Sequence, residues 1–388
     1  MRWLIASANK VLWRNFVTKF LDGEEKDKTD CFFSPVTLTD TAMKNEEIAY
    51  SILDLALVSQ GSTIKQTLNN SLALAKEAEA LDYKRYWFAE HHNSPYIGSN
   101  VPPLLIGYVA ENTQTIRLGS GGIMLPNHSP LVVAEQFGTL AHLYPGRIDL
   151  GLGRAPGTDT DTAQAIRSDF MRAAQSFPQE ISKIQHYFSD ANSNSKVRAA
   201  IAEGTGVPLY ILGSSTDSAH LAAAKGLPYA FASHFASTHL LQALGIYREE
   251  FQPYEFLDTP YTIAGVNVFV ADTDEEAERL FTTMIRMFVG VLTGKTEALQ
   301  PPTEMTDDLK DVLKHPAVQQ MLKYSFVGNR ATVKTQVKNF LTQTQVNELI
   351  IASATYAPED RIKSTRLFAE VMMEINGEKQ SSTPVNQY

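Results

Sequence analysis

The chain has 388 residues, of which 44% are apolar and 20% charged, proportions typical of a soluble globular enzyme. Its formal net charge of −9 and the lack of any Lys/Arg cluster argue against a nucleic-acid surface, and no apolar run reaches the roughly 20 residues that span a bilayer. Cys31 is the single cysteine, which rules out an intramolecular disulfide, suits the reducing cytoplasm and makes thiol catalysis a poor reading.

Residues 1–42 read as a peripheral N-terminal extension: charges and Asn interrupt every apolar run, so no secretory segment is visible. Met43 opens the segment that leads into the first strand and is an alternative start, so residues 43–388 form the domain to be explained. From Tyr50 onward, short apolar or β-branched runs alternate with longer amphipathic stretches. Strands are expected at 50–57, 84–89, 116–124, 148–152, 207–212, 228–232, 261–270 and 347–353. The helix expected over 62–81 steps Ile64, Leu68, Leu72, Ala75 and Ala78 or Glu79 along one face, with Ser62 or Thr63 as its cap. Eight such pairs close into a (β/α)8 TIM barrel, with excursion loops near 176–205 and 293–308 over its C-terminal face. A doubly wound sheet is the rival, weakened because Gly151-Leu152-Gly153-Arg154-Ala155-Pro156 has proline where a dinucleotide fingerprint needs its third glycine.

In a barrel, chemistry gathers where strands end. The second strand ends in Glu90-His91-His92, and adjacent strand residues face opposite ways, so one imidazole looks into the site and the other into the surrounding protein. The glycines Gly119, Gly121 and Gly122 bare a strand backbone; a planar ring would fit there, and a bulge or tight barrel corner is the plainer explanation. Gly213-Ser214-Ser215 opens a helical run at 217–225, which makes either a phosphate site or an ordinary cap. Arg154 offers a fork of donors suited to phosphate, or a surface ion pair. His234 ends the sixth strand, but no His-x-His pair occurs, so spacing argues against a catalytic metal.

The run from Arg117 through Gly119-Ser120-Gly121-Gly122 and Pro126-Asn127-His128 to Gly153-Arg154-Ala155-Pro156-Gly157 closely resembles the bacterial-luciferase-like flavin monooxygenases. So do Trp87-Phe88-Ala89-Glu90-His91-His92, Leu212-Gly213-Ser214-Ser215, Gly226-Leu227-Pro228 and Val327-Gly328-Asn329, and the match spans 50–372. The resemblance implies a barrel that uses reduced FMN and molecular oxygen on a small organic substrate. It implies His91 as the catalytic group beside the flavin, Ser120, Gly121 and Gly122 along the ring, with a cis peptide at the glycine pair, and Arg154, Gly213, Ser214, Ser215 and Ser218 around the phosphate. It further implies a homodimer packed through the helices near 102–112 and 131–143. No NADH fingerprint is visible, which points to a separate reductase as the source of reduced flavin. Ala56 and Leu57 depart from the Ser-Pro usual in close relatives, so the pocket floor is expected to differ. The alternatives are an FMN-binding protein without oxygenation and hydride transfer from a deazaflavin.

Overall fold

The computed structural model describes residues 47–255 and 257–381. The extension at 1–42 and the alternative start at Met43 lie outside the described residues. Eight parallel strands close a barrel: β1 Ala49–Asp54, β2 Arg85–Phe88, β3 Arg117–Met124, β4 Ile148–Gly153, β5 Leu209–Gly213, β6 Tyr229–Phe231, β7 Thr262–Val270 and, after one further strand, β9 Glu348–Ala352. Each pairs with the next, β7 pairs with β9, and β9 returns to β1 through Ser51 beside Ile350, which closes the ring. All eight expected strands are there, because strands covered on both faces leave continuous apolar runs.

The extra strand, β8 Ser325–Gly328, was not expected. β7 is nine residues long; residues 263–267 pair with β9, and its last four, Asn267–Val270, pair with β8 outside the ring. The β4–β5 and β7–β8 crossovers carry the excursions. The first holds α4 Thr160–Ile166, α5 Phe170–Gln175 and α6 Phe177–Phe188, and the second holds α9 Asp274–Thr293, α10 Asp307–Leu313 and α11 Pro316–Leu322. The remaining outer helices are α1 Ile64–Ala80, α2 Pro102–Ala110, α3 Pro130–Leu143, α7 Thr216–Lys225, α8 Leu240–Glu250, α12 Arg330–Thr344 and α13 Pro358–Ser381.

Thr63 caps α1 in a reciprocal pair with Gln66, so the cap falls on the second of the two expected positions. The buried face of α1 is rotated from the expected one. It runs through Thr67, Ser71, Leu74, Ala75 and Ala78, while Ile64 is exposed. Small side chains let the helix axis approach the barrel, and the bulkier Leu68 and Leu72 are left at the margins of the contact.

The lumen has an apolar upper layer and a charged floor. Leu53, Trp87, Ala89, Tyr210, Ala230, Ile263 and Ile350 form the apolar layer. Below it the Arg85 guanidinium donates to both Glu348 carboxylate oxygens (2.8 and 3.0 Å), to Asp149 Oδ2 (2.8 Å) and to the Tyr210 hydroxyl (2.6 Å). Ser51 and Tyr261 donate to Glu348 as well, and Arg117 and the Trp87 indole N–H to Asp149. Arg85, Asp149 and Glu348 are all buried, so every charge on the floor is met by another.

Trp87, with its neighbours Asp149 and Leu53, crowds two of the three glycines of β3. A Cβ at Gly119 would lie 2.5 Å from the Asp149 carbonyl oxygen and 2.8 Å from Trp87 Nε1, and one at Gly121 would lie 2.7 Å from Leu53 and 3.1 Å from the indole. The β3–β4 register shifts between Ser120 and Ile123, and the Gly121–Gly122 peptide is cis. The bulge reading and the crowding of the lumen therefore both hold at these positions.

Candidate active site at the C-terminal mouth

The organising residue of the mouth is Glu90, for which the sequence reading gave no role. Its carboxylate is fully buried. Oε1 accepts from His92 Nε2 (2.8 Å), His128 Nε2 (2.8 Å) and Asn127 Nδ2 (3.2 Å), and Oε2 accepts from the Met124 amide (3.0 Å). Burial alone would push this acid up. The hydrogen bonds from His128 and His92, then the charge interaction with His128 and the Met124 amide, outweigh it and hold the group at about 2. Glu90 thus ties the end of β2 to the turn after β3. Asn127 also donates to the Pro156 carbonyl (2.9 Å), which brings in the loop after β4.

With its partner beside it, His92 turns toward Glu90, and His91 faces the other way. His91 Nδ1 lies 3.2 Å from the Gly157 carbonyl oxygen. A carbonyl only accepts, so Nδ1 carries the proton and a neutral His91 presents a lone pair on Nε2. Among the described residues that Nε2 has no hydrogen-bond partner, and the residue is only partly buried. Burial holds the imidazole below the usual histidine range, against the Gly157 carbonyl and Glu90, which favour the proton. Gly157 has φ +65°, and a Cβ there would lie 2.5 Å from the Glu90 carbonyl oxygen, so the loop needs glycine to deliver its carbonyl.

On the same rim, β5 runs through Gly213 into α7. The cap residue Ser215 makes no side-chain hydrogen bond to the helix, so the first-turn N–H groups have no side-chain acceptor. The turn is tight: a Cβ at Gly213 would sit 1.8 Å from Ser218 Oγ. Ser218 itself is engaged, donating to the Ser215 carbonyl (2.6 Å) and paired with the Tyr229 hydroxyl (2.9 Å). Arg154, just past β4, lies 3.5 Å from Asp217 in the first turn of α7, with its side chain 51% exposed. The structure therefore brings Arg154, Gly213, Ser214, Ser215 and Ser218 into one corner. Ser120 stands apart: it is buried, donating to the Gly151 carbonyl (2.9 Å) and accepting from the Gly151 amide (3.1 Å).

At the departure in the first strand's end, Ala56 adopts φ +48° and donates its N–H to Asp54 Oδ1 (2.9 Å). Asp54 is buried, with the Tyr86 hydroxyl (2.5 Å) and Arg361 (2.9 Å) as further donors, so this corner is fixed by its own network. Among the described residues no group of three or more His, Cys, Asp or Glu is placed to hold a metal ion, and no helix is long and apolar enough to cross a membrane.

A family model described as luciferase-like monooxygenase matches residues 48–347. The chain belongs to the luciferase-like monooxygenase family. A luciferase-like monooxygenase of Escherichia coli (strain K12) is 44% identical over 335 residues, covering 86% of this chain and all of that protein. The N-acetyl-S-alkylcysteine monooxygenase of Bacillus subtilis (strain 168) is 36% identical over 332 residues, covering 84% of this chain and 98% of that protein. Among solved structures, apo-MsnO8 superposes with a TM-score of 0.77 at 32% identity, covering 84% of this chain and 99% of that one. The family's sequence is carried here on a (β/α)8 barrel, with one extra strand outside the ring.

Proposed function

We propose that this luciferase-like protein is an FMN-dependent monooxygenase of a small organic substrate, using molecular oxygen at the barrel mouth. The observation that carries the reading is the arrangement of one rim: a His91 Nε2 with no partner among the described residues and, at the same end of the barrel, a helix N-terminus that its cap residue leaves without a side-chain acceptor and that Arg154 flanks. The corner fits a phosphate. Its first-turn amides, the Ser214 and Ser215 hydroxyls and the exposed guanidinium are all donors, and the helix dipole favours an anion there. Ser218 and Gly213 shape that turn, and Ser120, Gly121 and Gly122 set the strand along which the flat ring would lie.

Reduced FMN, when bound, supplies the two electrons that let one oxygen atom enter the substrate while the other leaves as water. The protein's part is to bind, orient and keep out water. His91 is neutral with its lone pair on Nε2, so it takes a proton or accepts a hydrogen bond from a reacting group, and the Gly157 carbonyl fixes which nitrogen does so. A separate reductase supplies the reduced flavin, and a single cysteine agrees with residence in the cytoplasm. A homodimer through α2 and α3 is supported by the apolar side chains exposed there, Leu104, Tyr108, Val132 and Leu143.

The test is FMN binding followed by oxygen consumption with a flavin reductase and N-acetyl-S-methylcysteine as first substrate, since a relative is named for that class. R154A should bind FMN about tenfold or more weakly, as expected for losing a charge-assisted hydrogen bond. H91A should bind FMN as the wild type does and lose about 10²-fold or more of coupled oxidation. Unchanged turnover in H91A removes His91 from the chemistry, and a wild-type protein that does not bind FMN defeats the reading.

A further inference from the structure

A second imidazole stands over the mouth. His234 lies three residues past β6, and β6 is four strands around the ring from β2, which carries His91. The His234 ring packs against Gly265, which shares the lumen face of β7 with Ile263, so it leans over the lumen, and the charge on His91 is felt at His234.

The rest of His234 is pinned. Its carbonyl accepts from Asn267 Nδ2 (2.7 Å), the neighbouring Ser233 hydroxyl donates to the Gly265 carbonyl (2.6 Å), and its ring packs edge-on to Phe235 with centroids 4.9 Å apart. Nδ1 is sealed against β7, so closely that a Cβ at Gly265 would lie 2.3 Å from it, and it has no hydrogen-bond partner. A buried N–H without an acceptor is rarer than a buried acceptor without a donor. The proton therefore sits on Nε2, which makes no hydrogen bond among the described residues, in a side chain only partly buried. Burial first, and repulsion from His91 second, push this imidazole down to about 4, which keeps it neutral. Opposite walls of the mouth thus carry a donor on His234 and an acceptor on His91.

We propose that His234 is a substrate-contacting residue, whose Nε2–H donates a hydrogen bond to a carbonyl, amide or sulfoxide oxygen of the molecule oxidised beside His91. This rests on the reading of the mouth as the oxygenation site. It assigns a polarity that the site's other imidazole lacks: His91 receives, His234 gives. It also gives Gly265 a reason, since any side chain there would evict the ring.

The test uses the full-length protein labelled with ¹⁵N-histidine, with resonances assigned through H234Q, and N,N-dimethylacetamide as a probe that has a carbonyl acceptor and no donor. Long-range proton–nitrogen spectra at neutral pH should show His234 as the neutral Nε2–H tautomer and His91 as the Nδ1–H tautomer. Titrating the probe should move the His234 Nε2 resonance. H234F should bind the probe about tenfold more weakly, the loss expected for one hydrogen bond, and H234Q should regain most of it, because its carboxamide donates. A His234 that is cationic or protonated on Nδ1 overturns the proposal, as does a titration that leaves its resonances still. If H234F fails to fold, the wild-type tautomer and titration decide alone. FMN binding is measured on the same sample: its absence defeats the oxygenase reading, whereas FMN binding with an unresponsive His234 defeats only this inference.

Discussion

Replacing Glu90 by Gln tests the claim that one buried carboxylate holds the mouth together. Glu90 sits at about 2 in the fold against an ordinary 4.5. At about 1.36 kcal/mol per unit, that depression is worth about 3 kcal/mol of folding stability. The figure agrees in size with the about 3–5 kcal/mol seen when a buried charged partner is removed. The folded-state value is the lower one, so the stabilisation is complete above 4.5 and is lost as pH falls toward 2. E90Q has no such term. Its amide keeps one acceptor oxygen and places an NH2 group against donors, Met124 N–H on one side or His92 and His128 on the other. Urea unfolding of both proteins should give E90Q about 3 kcal/mol lower at neutral pH, with the gap shrinking by about 1.4 kcal/mol per pH unit below 4.5. Equal midpoints at neutral pH, or a gap that stays constant through the acid window, would refute the reasoning.

G213A puts a methyl group 1.8 Å from Ser218 Oγ, so Ser218 must leave Tyr229 and the Ser215 carbonyl; a flavin-fluorescence titration should show FMN affinity down about tenfold or more, the scale of a lost charge-assisted contact. L104E changes a side chain that is 72% exposed, so stability should move by no more than about 0.5 kcal/mol. Sedimentation should nevertheless show a dimer giving way to a monomer, and a dimer that persists would place the interface elsewhere.

The strands were legible because a parallel barrel buries both faces of each one, leaving apolar runs such as Tyr86-Trp87-Phe88. β8 escaped because it is four residues long, alternates in burial and completes no ring. The site was legible only in part. His91 and the Gly213-Ser214-Ser215 turn stand at strand ends and announce themselves. Glu90 does not, because its donors arrive from three places, at 92, 124 and 127–128, and only folding shows that they share one acceptor. His234 is similar: its meaning depends on Gly265, 31 residues on, and on a strand four places around the ring. The glycine run of β3 was read either as room for a planar ring or as a bulge, and at Gly119 and Gly121 a side chain would also meet the Trp87 indole.

The charged floor has a consequence for traffic. Arg85, Glu348 and Asp149 satisfy one another and fill the lumen from below, so any well above them opens at the mouth, where the strands end. Whatever settles deepest has to arrive first and depart last, and the other reactants and the products share the same threshold. Trimming Trp87 would deepen this well without turning it into a tunnel. Changes in what the protein accepts should therefore come from the loops at the rim, while the order of entry stays with the barrel.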